Sequence, residues 1–224
     1  MSINKSDYKI SIPFSVVLVL AYIAIGVAIP TALDLIIWRP LGGEFSVWLN
    51  ISASIIINIV FFVYASKITR NSVSIFGNIS MFGIMATIGC ALLLFLLLDC
   101  FLDPLFESLF PVSATEYQQS LAALRQSPTT TFIQVCLIAP IVEELLMRHY
   151  VLKGIKNKHG VAIALIVSTL LFSVLHFNFM QTLSAVVGGL IIGMLYIKTD
   201  SLFCCILTHA LYNSISYFTQ IVIL

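Results

Sequence analysis

Apolar and polar positions along this chain alternate on a scale of about twenty residues, far longer than the two- or four-residue periods of surface strands and helices. A membrane-spanning helix needs about 20 mostly apolar residues. Seven runs meet that need: roughly Ile12–Trp38, Ser46–Ser66, Ile79–Leu102, Thr131–Gly154, Val161–Met180, Thr182–Ile197 and Leu202–Leu224. The sixth is short, which fits a helix with little tilt or one only partly embedded. The pattern therefore predicts an all-α fold, a polytopic membrane helix bundle of about seven transmembrane helices. Lys5 and Lys9 precede the first run as they would a signal peptide. That run exceeds a 7–15-residue signal core and lacks a small-residue cleavage site, so it is read as a retained helix. Pro30 is expected to bend its far end.

Composition supports this class. The chain of 224 residues is 60% hydrophobic and only 9% charged, with mean hydropathy +1.07, whereas soluble domains are about 25% charged. A net charge of +1 gives no reason to expect a nucleic-acid partner. Cys90, Cys100, Cys136, Cys204 and Cys205 lie in apolar runs and match neither a disulfide framework nor a metal-binding spacing, so they read as packing residues.

The loops set an orientation. Lys5, Lys9, Lys67, Arg70, Lys153, Lys156, Lys158 and Lys198 fall on one side. Arg39 and Arg125 fall on the other, with Glu44, Asp103, Glu107 and Glu116. The positive-inside rule then predicts a cytoplasmic N-terminus and, after seven spans, an external C-terminus. The longest loop, Asp103–Thr130, would be external. It reads first as a plain connector, although Glu116–Arg125 could form a short surface helix. Polar residues inside the spans accumulate only beyond this loop. The chain divides accordingly into residues 1–129, three helices and the external loop, and residues 130–224, a four-helix part.

That second part carries the chemistry. Pro140-Ile141-Val142-Glu143-Glu144-Leu145-Leu146-Met147-Arg148 places three charged residues in an otherwise apolar run. Each costs at least ~2.5 kcal/mol at bilayer depth, so each needs a partner or a task. Glu144 and Arg148 are spaced i, i+4 and can pair. Glu143 lies about 100° round the helix and is left unneutralised. Pro140 removes one backbone hydrogen bond and could open space beside the carboxylates. In the fifth run Phe172 and His176 share a face; in the seventh His209 and Asn213 do. Each of these alone is equally well a packing or hydrogen-bonding feature. Together they form a sparse set of acid/base-capable groups on three helices, as water activation requires. His176, His209 and a carboxylate could instead bind a metal, although the HExxH helix of zinc proteases is absent.

The order E-E-x-x-x-R, F-x-x-x-H, H-x-x-x-N resembles the CPBP family of intramembrane proteases, which includes CAAX prenyl endopeptidases and bacterial abortive-infection or bacteriocin-processing relatives. The matching residues are Glu143, Glu144 and Arg148, then Phe172 and His176, then His209 and Asn213, within roughly Thr130 to Ser216. The resemblance implies an intramembrane endopeptidase whose catalytic residues are Glu143, Glu144, Arg148, His176, His209 and Asn213. Glu143 would activate water with help from His176. His209 and Asn213 would hold the oxyanion or help ligate zinc, and Arg148 would brace Glu144. A glutamic mechanism needs no cofactor; a metal-dependent one would place zinc at His176, His209 and Glu143. The expected partners are the lipid bilayer and a membrane-associated peptide or protein substrate, in what resembles a bacterial cell-membrane protein. The site should be reached from the lipid or the cytoplasmic face. The competing classes are a non-catalytic bacteriocin-immunity or scaffold protein and a proton-coupled transporter; the inverted repeat expected of the latter is not apparent. One depth estimate conflicts with the rest. His176 lies about 24 Å along the fifth span, so that helix must tilt strongly or begin outside the membrane.

Overall fold

The structure is a computed structural model that describes residues 8–76 and 79–222, and every regular element among them is a helix. Lys5, counted above in the basic side, lies outside the described residues. The helices are α1 (Ile12–Leu41), α2 (Gly43–Thr69), α3 (Met81–Leu109), α4 (Pro111–Leu124), α5 (Pro128–His159), α6 (Val161–Ser173), α7 (Phe179–Thr199) and α8 (Leu202–Tyr217, continued by a wider turn over Phe218–Val222). Of these, α1, α2, α3, α5 and α7 are long and apolar enough to cross a membrane. The expected fifth span is shorter than its apolar run. α6 has 13 residues, about 20 Å at 1.5 Å per residue. The expected short sixth span is longer than its run suggested, with 21 residues. Both shifts come from one break at Val174–Asn178, where the chain turns and Asn178 caps α7.

Prolines govern the long helices. One wider π-helical stretch, Leu145–Leu152, has no proline after it. Four others cover Ile23–Ala28, Asp34–Trp38, Leu98–Leu102 and Phe132–Ile138. Each ends two residues before a proline: Pro30, Pro40, Pro104 or Pro140. A proline has no N–H and its ring collides with the carbonyl four residues back. Widening the preceding turns relieves the collision, so these prolines distort long helices without ending a span. The reversal between α1 and α2 uses Gly42 and Gly43, with φ of 69° and 73°, a left-handed geometry that disfavours a Cβ.

The centre of the bundle is α5. All of Leu145–Leu152 is buried, and so is Ile155. α5 packs against α1, α6, α7 and α8, while α3 packs along α7 and α8. Stacked rings tie α1 and α2 to α5: Tyr22 on Phe62 at 6.3 Å and Phe62 on Tyr150 at 6.0 Å. The loops carrying basic residues meet at one end. Ile10 N–H donates to Gly154 O at 3.2 Å, Asn157 donates to Tyr8 O at 2.9 Å, and Lys156 lies 4.0 Å from Asp200. At the opposite end α4 is no plain connector. It is a 14-residue helix from Pro111, starting earlier than the expected Glu116, and it packs on α3, α7 and the end of α8.

Candidate active site

The site begins with a backbone defect in α5. Ahead of Pro140 the helix is wide, and Ala139 N–H donates to Gln134 O, five residues back. By the same register the Val135 carbonyl faces residue 140, a proline without an N–H. Asn213 of α8 supplies the missing donor, with its Nδ2 2.9 Å from Val135 O. An unpaired buried carbonyl costs about 1–3 kcal/mol, so this contact explains why a carboxamide stands on an apolar helix. It also joins α8 to α5 about two turns ahead of the carboxylates.

Glu144 is fully buried and has two partners. Arg148 Nε donates to its Oε2 at 2.7 Å, and His209 Nδ1 donates to its Oε1 at 2.9 Å. A carboxylate only accepts, so Nδ1 of His209 carries the proton and Nε2 points onward. Arg148 is also wholly buried, with its guanidinium carbon 5.5 Å from the centre of the Phe172 ring. Its two terminal nitrogens make no hydrogen bond among the described residues. Gly193 of α7 makes room for it: a Cβ there would stand 2.6 Å from Leu165 Cδ1 and 3.4 Å from Arg148 Nη1.

Phe172 is the hub between the histidines. Its ring centre lies 5.1 Å from that of His176 and 5.9 Å from that of His209, edge-on to both. His176 sits in the turn after α6. Its Nδ1 lies 3.2 Å from Phe172 O, which as an acceptor requires the proton on Nδ1 and leaves Nε2 available. The early end of α6 thus folds His176 back over Phe172, so no strong tilt of that helix is needed to bring the imidazoles together. The turn itself is held by residues not singled out above. Asn178 Oδ1 accepts from the N–H groups of Met180 and Gln181, and Asn178 Nδ2 donates to Ser113 O of α4 at 3.0 Å. The signal was present in the sequence: Asn178 followed three residues later by Gln181 is a helix-start pattern.

His176, His209, Asn213 and Phe172 line one cavity of about 200 Å³, together with Asp103, Tyr117, Ser184 and Tyr212. It lies beneath α4, at the end of the bundle opposite the basic loops. Glu144 and Arg148 stand behind His209, out of the lining. Glu143 is not in the lining either. It is half-buried, has no hydrogen-bond or ion-pair partner among the described residues, and lies within electrostatic range of Tyr22 and His209. Among the described residues no three His, Cys, Asp or Glu side chains are grouped as a metal would need. His176, His209 and Glu143 are therefore not a ready-made zinc site in this arrangement.

Residues 125–215 match the family model described as Type II CAAX prenyl endopeptidase Rce1-like. No curated protein and no solved structure matches the chain. The match spans the stretch from the end of α4 to α8, including Glu143, Glu144, Arg148, His176, His209 and Asn213. This match supports the CPBP/CAAX protease family for residues 125–215, and with its long apolar helices the protein is an integral membrane protein.

Proposed function

We propose that this protein is an intramembrane endopeptidase that hydrolyses a peptide bond of a membrane-associated peptide or protein with a carboxylate-activated water. The observation that carries the reading is the buried Arg148–Glu144–His209 chain ending at a cavity shared with His176. Glu144 serves as a fixed anchor for His209 and not as a base, because both its oxygens are engaged. Glu143 is the nearby carboxylate left free and is assigned as general base. Catalytic contacts commonly tighten only when substrate is bound, which is where Glu143 would meet the water.

In this scheme the water oxygen attacks the scissile carbonyl carbon while its proton passes to Glu143, with His176 Nε2 orienting it. The oxyanion is held by the second N–H of Asn213 and by His209 Nε2 when protonated, a state that the Glu144 carboxylate at Nδ1 stabilises. Collapse breaks the C–N bond. Glu143 returns the proton to the departing nitrogen, giving a carboxylic acid and an amine.

The test is cleavage of quenched-fluorescent membrane peptides by the purified protein in proteoliposomes. Glu143→Gln and His176→Ala should each lower the rate by roughly 10²–10⁴-fold, the range of general acid–base catalysis, with unchanged melting. Activity should persist after chelation in the glutamic scheme. Normal cleavage by both variants would overturn the assignment, and loss of activity on chelation, restored by zinc, would replace it with a metal-dependent one.

A further inference from the structure

The cavity is lined by groups of different character. His176 and His209 line it, and so does Asp103, from the last turns of α3. Asp103 Oδ1 accepts from Ser184 Oγ at 2.6 Å, which fixes the carboxylate in place without neutralising it. Tyr117, Ser120, Gln181, Tyr212 and Ser216 are among the neutral polar residues of the lining. No lysine or arginine lines the cavity among the described residues.

The surroundings carry the same sign. Asp99, Asp103 and Glu107 are spaced by four along α3, so they share a face; Asp103 interacts electrostatically with the other two, Tyr117 with all three, and Tyr212 with Asp99 and Asp103. None has an ion-pair partner among the described residues. Asp99 accepts from Ser216 and from Gln220 Nε2, and Glu107 from Gln118 Nε2, all neutral donors. The nearest arginine in this region, Arg125, is exposed and donates to the Gln220 carbonyl. A cleft of one sign with low-dielectric walls concentrates the opposite charge.

We infer that Asp103 is a specificity-determining residue that takes a cationic group of the substrate, a lysine or arginine side chain or a free amine, close to the scissile bond. This rests on the peptidase reading and narrows its substrate class. The geometry disfavours a substrate whose terminal carboxylate must enter the cavity, as a C-terminal CAAX tripeptide would require. A carboxylate there would face Asp103 with no lysine or arginine to receive it.

The probes are quenched-fluorescent apolar decapeptides, identical but for Lys, Gln or Glu at one position scanned across the scissile bond. Each is made with a free or acetylated N-terminus and an amidated or free C-terminus. The wild-type protein should cleave the best Lys peptide with kcat/KM at least fivefold above its Gln counterpart and further above Glu, and added salt should shrink the ratio. The acetylated set separates side-chain from α-amine recognition. Asp103→Asn should bring the Lys/Gln ratio towards one, and Asp103→Lys should invert the Lys/Glu ratio, which a merely structural role would not do. Binding of the same peptides to Glu143→Gln protein, followed by fluorescence anisotropy, reads the preference without hydrolysis. Preferential binding without any cleavage by wild type would sink the peptidase reading and keep the cation site. Cleavage, or binding, with no preference for Lys over Gln would overturn the cation site and leave the peptidase reading standing.

Discussion

At the scale of single residues, the site depends on one buried ion pair. Glu144 and Arg148 have no exposure to solvent, and breaking such a pair leaves the surviving charge uncompensated, at about 3–5 kcal/mol. Arg148→Ala should therefore lower stability by that order, read as a melting shift of the detergent-solubilised protein. Arg148→Lys should rescue little, because its single ammonium cannot reproduce the planar contact with Phe172. A variant Arg148→Ala that melted like wild type would remove the bracing role. The pairing itself was legible from the i, i+4 spacing. The second partner of Glu144 was not: His209 lies 65 residues away in sequence, and nothing local to either residue encodes the approach. Likewise Asn213 could be recognised as a buried carboxamide in search of a partner, but not as the donor to Val135.

At the scale of elements, prolines and their compensation shape the helices. If Asn213 serves the carbonyl that Pro140 cannot, then Asn213→Ala should destabilise by about 1–3 kcal/mol, the penalty for an orphaned buried acceptor. In a Pro140→Ala background, residue 140 regains an N–H and the penalty should fall. A double-mutant cycle on melting temperatures should show coupling of at least ~0.5 kcal/mol. Strictly additive effects would contradict the account. Proline positions predicted bends, but the choice between a break and a widened turn is made by packing. α5 continues through Pro140 because the neighbours on both sides bury it and α8 supplies the donor. The end of α6 was missed for a related reason. Its apolar run continues to Met180 without Gly or Pro, and the capping signal at Asn178 is weaker than a twenty-residue hydropathy trend.

At the scale of the whole molecule, α4 closes one end of the cavity and is tied to the turn that carries His176. Asn178 both caps α7 and donates to Ser113 of α4. Asn178→Ala should cost roughly 0.5–2 kcal/mol from the lost cap and also loosen α4 over the cavity. The expected signature is faster amide exchange in Pro111–Leu124 together with a raised KM. Unchanged exchange in that helix would separate α4 from the site. At this scale hydropathy misread the long loop, because a helix with a mixed polar surface looks like a connector until its apolar side is seen against α3, α7 and α8.

The sequence by itself determined the helical class, the membrane setting, the clustering of basic loops at one end, and the identity of the acid/base-capable residues, since all of these follow from composition and short-range spacing. Only the tertiary structure decided which of those residues meet. Whether Glu144 or Glu143 holds a histidine, which carbonyl Asn213 serves, and what charge lines the cavity depend on contacts between helices far apart in the chain. Such contacts are fixed by side-chain shape and packing across the bundle, and hydropathy carries no record of them.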